Sequence, residues 1–229
     1  MAIWLTLCGA ILVIAYLLGS FPTGYIAVKQ LKGIDIREVG SGSTGATNVL
    51  RTLGKGPGAV VLLIDCCKGI LAIALVYGLF NFAPSQDFIP PTVDVNLWQP
   101  WLLTLAGLAA VMGHSKSIFL GFTGGKSVAT GLGTLLAISW QVGLATLGVF
   151  AIVIAISRIV SLSSISGAIA VTIFMTLFHQ PLPCILYAVV GGLYVIWRHR
   201  GNIERLLAGT EPKIGQTLPT APTEPEQAA

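Results

Sequence analysis

Charge is scarce in this sequence: Asp, Glu, Lys and Arg make up 10% of its 229 residues, against about a quarter in ordinary soluble domains. That deficit excludes a soluble fold with a wetted surface. No basic residue precedes the first apolar run, "MAIWLTLCGAILVIAYLLG", and no small-x-small cleavage signature follows it, so the run reads as a retained span rather than a signal peptide. Alternating polarity is also missing from the apolar runs, which excludes a transmembrane β-barrel. Cysteine is limited to Cys8, Cys66, Cys67 and Cys184, all in apolar segments without metal-ligand spacing. Adjacent Cys66 and Cys67 are badly placed to bridge each other. Buried thiols are expected, with no metal and no cofactor.

What is present is apolar length. Hydrophobic residues make up 54% of the chain, and the mean hydropathy is +0.84. The expected class is an all-α polytopic membrane protein. Spans can be drawn at about 3–20, 57–80, 98–113, 127–140, 143–157, 162–179 and 182–197. Residues 127–157 are ambiguous between one long tilted helix and two short ones meeting near Trp140 and Gln141. The basic residues fall at Lys29 to Lys55, at Lys116 and Lys126, at Arg158 and from Arg198 to Lys213, whereas residues 81–100 and the "HQPLP" turn carry none. Basic loops prefer the cytoplasm, and one cytoplasmic face for all of them requires two crossings in 127–157. The expectation is therefore seven transmembrane helices, with the N-terminus extracytoplasmic and the C-terminus cytoplasmic. Spans that short would be tilted or beside thinned lipid. The membrane domain is assigned to 1–208, and the Pro-, Thr- and Glu-rich 209–229 to a largely disordered cytoplasmic tail. The net charge of +4 fits the loop bias and needs no nucleic acid.

Four polar stretches fall on the expected cytoplasmic side. "GSGSTGATNVLR" (40–51) suits an anion nest at a helix start, or a plain Gly/Ser connector. "GHSKSIFLGFTGGKSVATGLG" (113–133) contains Gly124, Gly125 and Lys126 beside a hydroxyl. It is not a Walker A motif, because Leu120 occupies the first glycine position. His114, alone, reads as a structural histidine. "SRIVSLSSIS" (157–166) offers hydroxyls, including Ser161 and Ser163, that equally suit a helix cap. "WRHRGNIERLLAGTE" (197–211) places His199, Asn202 and Arg205 on one helix face; a juxtamembrane basic helix explains the arginines but not His199 and Asn202. Asp65 and Lys68, at i and i+3 inside an apolar run, read first as a mutual pair. Together, four separated segments put Lys, Arg, His, Asn, hydroxyls and glycine backbone on one membrane face. That is the chemistry of a site for an anionic, phosphorylated molecule.

In order and spacing these four segments resemble the bacterial acylphosphate:glycerol-3-phosphate acyltransferases, the PlsY family, over about residues 10–211. The resemblance implies a seven-span inner-membrane enzyme with a cytoplasmic active site. It would move a fatty acyl group from acyl phosphate to the sn-1 hydroxyl of glycerol 3-phosphate, giving lysophosphatidic acid and inorganic phosphate. It assigns catalytic roles to Ser41, Arg51, Lys126, His199 and Asn202. It also matches Gly124 and Gly125, with Lys126, to the loop that binds glycerol 3-phosphate, and Glu211 to a structural glutamate. Substrate contacts are further expected of Ser43, Thr47, Asn48, His114, Ser127, Ser161 and Ser163, and structural roles of Asp65 and Lys68. Implied partners are the two small substrates, the lipid bilayer and a soluble enzyme that supplies acyl phosphate. The chain departs from the family at Ser43, where asparagine is common, at Ser117, where proline is common, and at Ser127, where glycine is common. Ser127 touches the proposed phosphate loop.

Acyl phosphate is an activated mixed anhydride, so a positioning mechanism without a covalent nucleophile is expected. His114 or His199 acting as base is the runner-up. A phosphate transporter would bring polar groups to both faces, and a lipid-binding scaffold leaves the Gly-Gly-Lys loop and His199/Asn202 unexplained.

Overall fold

The computed structural model describes residues 1–216. Those residues form eleven α-helices: α1 (Ala2–Ser20), α2 (Thr23–Lys32), α3 (Ala46–Leu53), α4 (Lys55–Asn81), α5 (Ala83–Gln86), α6 (Val95–Ser115), α7 (Val128–Ile138), α8 (Trp140–Ser157), α9 (Val160–Leu177), α10 (Leu182–Arg198) and α11 (Arg200–Leu207). Among the described residues, five helical segments are long and apolar enough to cross a bilayer, or six if α10 and α11, bent by 60°, count as one span. Large apolar side chains such as Leu63, Ile152, Ile156 and Leu193 point outward. In water this would be a liability; in lipid it is the belt a membrane protein needs. The protein is a multi-pass membrane protein.

The ends of the helices sort into two groups. At one end Trp4 of α1 packs on Phe80 of α4 and Trp98 of α6, with ring centroids 5.3 and 6.0 Å apart. At the other, Ser117 donates to the Ser20 carbonyl at 2.6 Å and Lys68 donates to the Phe21 carbonyl at 2.6 Å. α1 and α6 are therefore parallel, and α4 runs antiparallel to both. α7 instead runs parallel to α4: Gly133 lies against the Cys66 backbone and Gly69 against Thr130, where any side chain would collide. Small residues allow this approach, the usual way helices associate in lipid. Further along, Tyr77 donates to the Ile138 carbonyl at 3.5 Å.

The chain then turns at Ser139, whose φ of −152° and ψ of 104° end the helix. Residues 127–157 thus form two helices rather than one. α7 has 11 residues, about 16 Å of rise, roughly half of a bilayer core of about 30 Å. It can be short because it begins inside the protein, beside Gly69, and not at the membrane surface.

Two further departures concern segments expected to be loops. Residues 21–56 carry the amphipathic helices α2 and α3; α2 ends at Gly33, whose φ of 72° is left-handed. Part of the stretch assigned to the tail is tied to the body. Glu211 is buried, Ile214 donates its N–H to the Arg158 carbonyl at 2.8 Å, and Arg158 Nη2 donates back to Ile214 at 3.0 Å. The rest of the expected tail, 217–229, lies outside the described residues.

Candidate active site

The first polar segment folds around Asn48. Its Nδ2 donates to the carbonyls of Ile36, Val39 and Ser43 at 3.2, 3.0 and 3.0 Å, and its Oδ1 accepts the Ser41 N–H at 3.2 Å. Asn48 thus braces the loop, and it also lines the cavity. The brace holds Ser41 and Ser43 at a cavity. Beside them, Thr47 and Arg51, at i and i+4 on one face of α3, line the same cavity. The Arg51 side chain makes no hydrogen bond among the described residues.

The second segment behaves differently from a phosphate-cradling loop at its glycines. Gly125 donates its N–H to the His114 carbonyl at 3.1 Å, and a Cβ on either glycine would strike His114. Their carbonyls accept from Arg198 Nη2 at 3.3 and 2.9 Å. Gly124 and Gly125 are therefore small so that the loop can cross the end of α6. Ser127 has φ 62°, a left-handed conformation that costs a non-glycine residue about 1–2 kcal/mol. Its hydroxyl offsets this strain by donating to the Val111 carbonyl at 2.6 Å and sharing a 2.6 Å bond with Ser115. The loop thus keeps its course with serine in place of glycine. At Ser117 the N–H, which proline would lack, pairs with the Thr123 carbonyl at 3.3 Å.

A polar chain joins the second segment to the fourth. Lys126 Nζ donates to Asn202 Oδ1 at 2.5 Å, and Asn202 Nδ2 donates to Glu211 Oε1 at 2.5 Å. Ser161 donates to the same Glu211 oxygen at 2.7 Å, and Arg205 Nε donates to the other at 2.7 Å. Burial pushes the Glu211 carboxyl up, but the bonds from Asn202, Ser161 and Arg205 outweigh it and hold the group below the usual carboxylate range. His199 donates through Nδ1 to the Val195 carbonyl at 2.7 Å. A carbonyl can only accept, so the proton sits on Nδ1 and Nε2 remains an acceptor at the cavity.

These groups bound the polar end of a cavity of about 270 Å³. Helices α3, α7 and α9 all begin there, none with a side-chain cap, so unpaired N–H groups of three helix starts converge. Arg51, Arg198, Arg205 and Glu211 are the charges acting on Lys126, which makes four cations against one carboxylate. Burial first, and then the repulsion of the three arginines, push Lys126 down to about 8 against the pull of Glu211. The other end of the cavity is apolar, walled by residues such as Leu135, Phe150, Val171 and Ala188.

Of the expected site residues, Gly124, Gly125 and Lys68 do not line the cavity, and neither does Ser163. Its hydroxyl bonds back to the Ile159 carbonyl at 2.9 Å, and the face of α9 that lines the cavity carries Ser161 and Ser164. Their i, i+3 spacing was the available signal for Ser164. Arg198, which clamps the loop, had no such signal. Asp65 and Lys68 form the buried pair expected of them, at 2.6 Å. His114 Nδ1 stands 3.8 Å from the same Asp65 oxygen, and Asp65 and His114 border the cavity.

Residues 9–209 match the glycerol-3-phosphate acyltransferase family model. The chain is 78% identical over its whole length, and that of the relative, to a glycerol-3-phosphate acyltransferase of Trichormus variabilis. It is 58% identical to one of Acaryochloris marina, over 94% of this chain and 96% of that one. Among solved structures, the glycerol 3-phosphate form of PlsY, an integral membrane glycerol 3-phosphate acyltransferase, superposes with a TM-score of 0.78 at 39% identity, covering 91% of this chain and 96% of that one. Its lysophosphatidic acid form gives 0.76 at 38%, covering 91% and 95%. An amphipathic cavity ringed by cations in a chain this similar leads to one assignment: the protein belongs to the glycerol-3-phosphate acyltransferase family.

Proposed function

We propose that this enzyme transfers a fatty acyl group from acyl phosphate to the sn-1 hydroxyl of glycerol 3-phosphate, releasing lysophosphatidic acid and inorganic phosphate. The observation that carries this reading is the two-ended cavity. Its polar end suits phosphate oxygens, through Lys126, Arg51 and the three uncapped helix starts; its apolar end suits a hydrocarbon chain. Both a phosphorylated acyl donor and a lysophospholipid product have that division of character. The relatives' crystal forms with glycerol 3-phosphate and lysophosphatidic acid point the same way.

In the mechanism, Lys126 and Arg51 hold the phosphate of glycerol 3-phosphate, while free N–H groups at the starts of α7 and α9 face the donor phosphate. The acceptor hydroxyl is oriented by Nε2 of His199 and attacks the acyl carbon. The new ester bond forms as the carbon–oxygen bond to phosphate breaks. The hydroxyl proton leaves with phosphate, whose oxygens are the nearest strong acceptors. Ser41, at the mouth, contacts substrate and takes no acyl group. Asn202 and Glu211 position Lys126.

For the topology we propose seven crossings by α1, α4, α6, α7, α8, α9 and α10, with the N-terminus extracytoplasmic and the active site on the cytoplasmic side of the inner membrane. The basic loops gathered at the cavity end support this orientation. The acyltransferase body ends near 208, with the site-completing segment 209–216 behind it. A soluble enzyme making acyl phosphate would deliver donor from that same side.

The test is a purified-protein assay with acyl phosphate and glycerol 3-phosphate. One phosphate released per lysophosphatidic acid formed supports the reaction. Phosphate release that does not need glycerol 3-phosphate contradicts it.

A further inference from the structure

The apolar end of the cavity has a floor at a definite depth. On α10 the lining descends from His199 through Val195, Gly192 and Gly191 to Tyr187. The twelve residues from His199 to Tyr187 correspond to about 18 Å of helix rise. A single leaflet of a hydrocarbon core is about 15 Å deep, so the groove has room for one acyl chain and little more. Tyr187 closes it. This side chain is 3% exposed, its hydroxyl is bonded to Thr134 of α7 and its ring lies against Gly107 of α6. It therefore ties three helices together and is not free to swing aside. Behind it Val142, Met175 and Cys184 complete a packed cluster.

The walls carry a second observation. A Cβ built on Gly191 would meet only the Tyr187 ring at 3.9 Å, and one on Gly167 only Thr146, at 3.6 and 3.9 Å. Both are ordinary contacts, and neither glycine has a positive φ. Gly192, next in sequence, is different: there a Cβ would lie 2.6 Å from the Ala168 carbonyl oxygen. Packing and backbone geometry thus explain Gly192 but not Gly167 or Gly191. What these two glycines do is leave the groove empty above the tyrosine.

We propose that Gly167, Gly191 and Tyr187 form the gauge that sets acyl-chain length, the glycines keeping the groove open and the tyrosine ending it. This rests on the acyl-transfer reading above. A side chain at 191 would project into space otherwise filled by methylenes near the chain terminus. Each methylene denied burial costs roughly fourfold in kcat/KM. Short donors that end above the obstruction lose less than long ones.

The experiment measures kcat/KM for a graded series of saturated acyl phosphates with the unmodified enzyme and with Gly191→Ala, Gly191→Val and Gly191→Leu. The long-to-short ratio should fall in that order, reaching roughly tenfold or more for leucine, and the optimum should move to shorter chains. Gly167→Val should move it in the same direction. If leucine prevents folding, the ratio for Gly191→Ala, whose Cβ meets only an ordinary contact, decides the matter on a smaller scale. Equal losses at every chain length in the alanine and valine variants would overturn the gauge while leaving the acyltransferase reading intact. An unmodified enzyme inactive with every acyl phosphate would overturn the donor assignment, and the gauge with it.

Discussion

The proposed contact between Lys126 and the substrate phosphate should depend on pH in a way that follows from its surroundings. Burial and the positive charges of Arg51, Arg198 and Arg205 lower it to about 8 in the unliganded site, against the opposing pull of Glu211. Below pH 8 the ammonium is charged and binds phosphate; above it the unliganded site increasingly holds a neutral amine. The phosphate dianion, when bound, favours the charged form, so the ligand must supply a proton to the site at high pH. KM for glycerol 3-phosphate should be flat from about pH 7 to 8 and then rise, approaching tenfold per pH unit. The substrate phosphate has its own second pKa near about 6, too low to produce this inflection. Lys126→Arg should remove the inflection, because guanidinium does not titrate in this range. Lys126→Ala should raise KM by roughly 10- to 150-fold, the equivalent of about 1.5–3 kcal/mol for a charge-assisted hydrogen bond. The assay is initial-rate phosphate release at saturating donor across pH 7–10. A KM independent of pH, or an inflection surviving in Lys126→Arg, would show that Lys126 does not bind the phosphate.

Three more perturbations test separate parts of the account. Cysteines placed singly at exposed Ser41 and Glu204 should resist an impermeant thiol reagent on intact cells while one at Asp87 reacts, in a cysteine-free background; equal reaction at Glu204 and Asp87 rejects the proposed orientation. Ser127 is unsuitable for that assay, because it is 1% exposed. Glu211→Ala should lower stability by roughly 1–3 kcal/mol, since Ser161, Asn202 and the half-exposed Arg205 lose their common acceptor. Because its folded-state pKa is depressed, the Glu211 contribution is present above about pH 4.5, its ordinary value, and fades as pH falls; thermal unfolding in detergent against pH reads both effects. His199→Gln should cost only a few- to tenfold in kcat/KM, about 0.5–1.5 kcal/mol for a neutral orienting hydrogen bond. A thousandfold loss with glycerol 3-phosphate binding intact would make His199 the general base.

The convergence of Arg51, Lys126, Ser161, His199 and Asn202 was legible because each breaks an apolar pattern, and breaks on one membrane face have few places to go. The Asp65–Lys68 pair was legible for the same reason: two charges one turn apart in lipid must find each other. That Gly124 and Gly125 do not line the cavity was not legible. A Gly-Gly-Lys string has the same letters whether its backbone faces a ligand or, as here, packs on the end of α6. For Asn48 and Ser163 the sequence did not show that the amide also closes its loop and that the hydroxyl bonds back to its helix. The short α7 was hard to place because its start lies inside the protein, so bilayer thickness does not set its length. The acyl groove left no polar trace at all; Gly167 and Gly191 stand out only once their neighbours are known.

Both substrates are proposed to occupy one cavity, the acyl group passing directly between them. An initial-rate matrix, varying acyl phosphate at several fixed concentrations of glycerol 3-phosphate, tests this most directly. Direct transfer predicts intersecting lines in double-reciprocal plots. Parallel lines, the mark of an acylated enzyme formed before the second substrate binds, would contradict it.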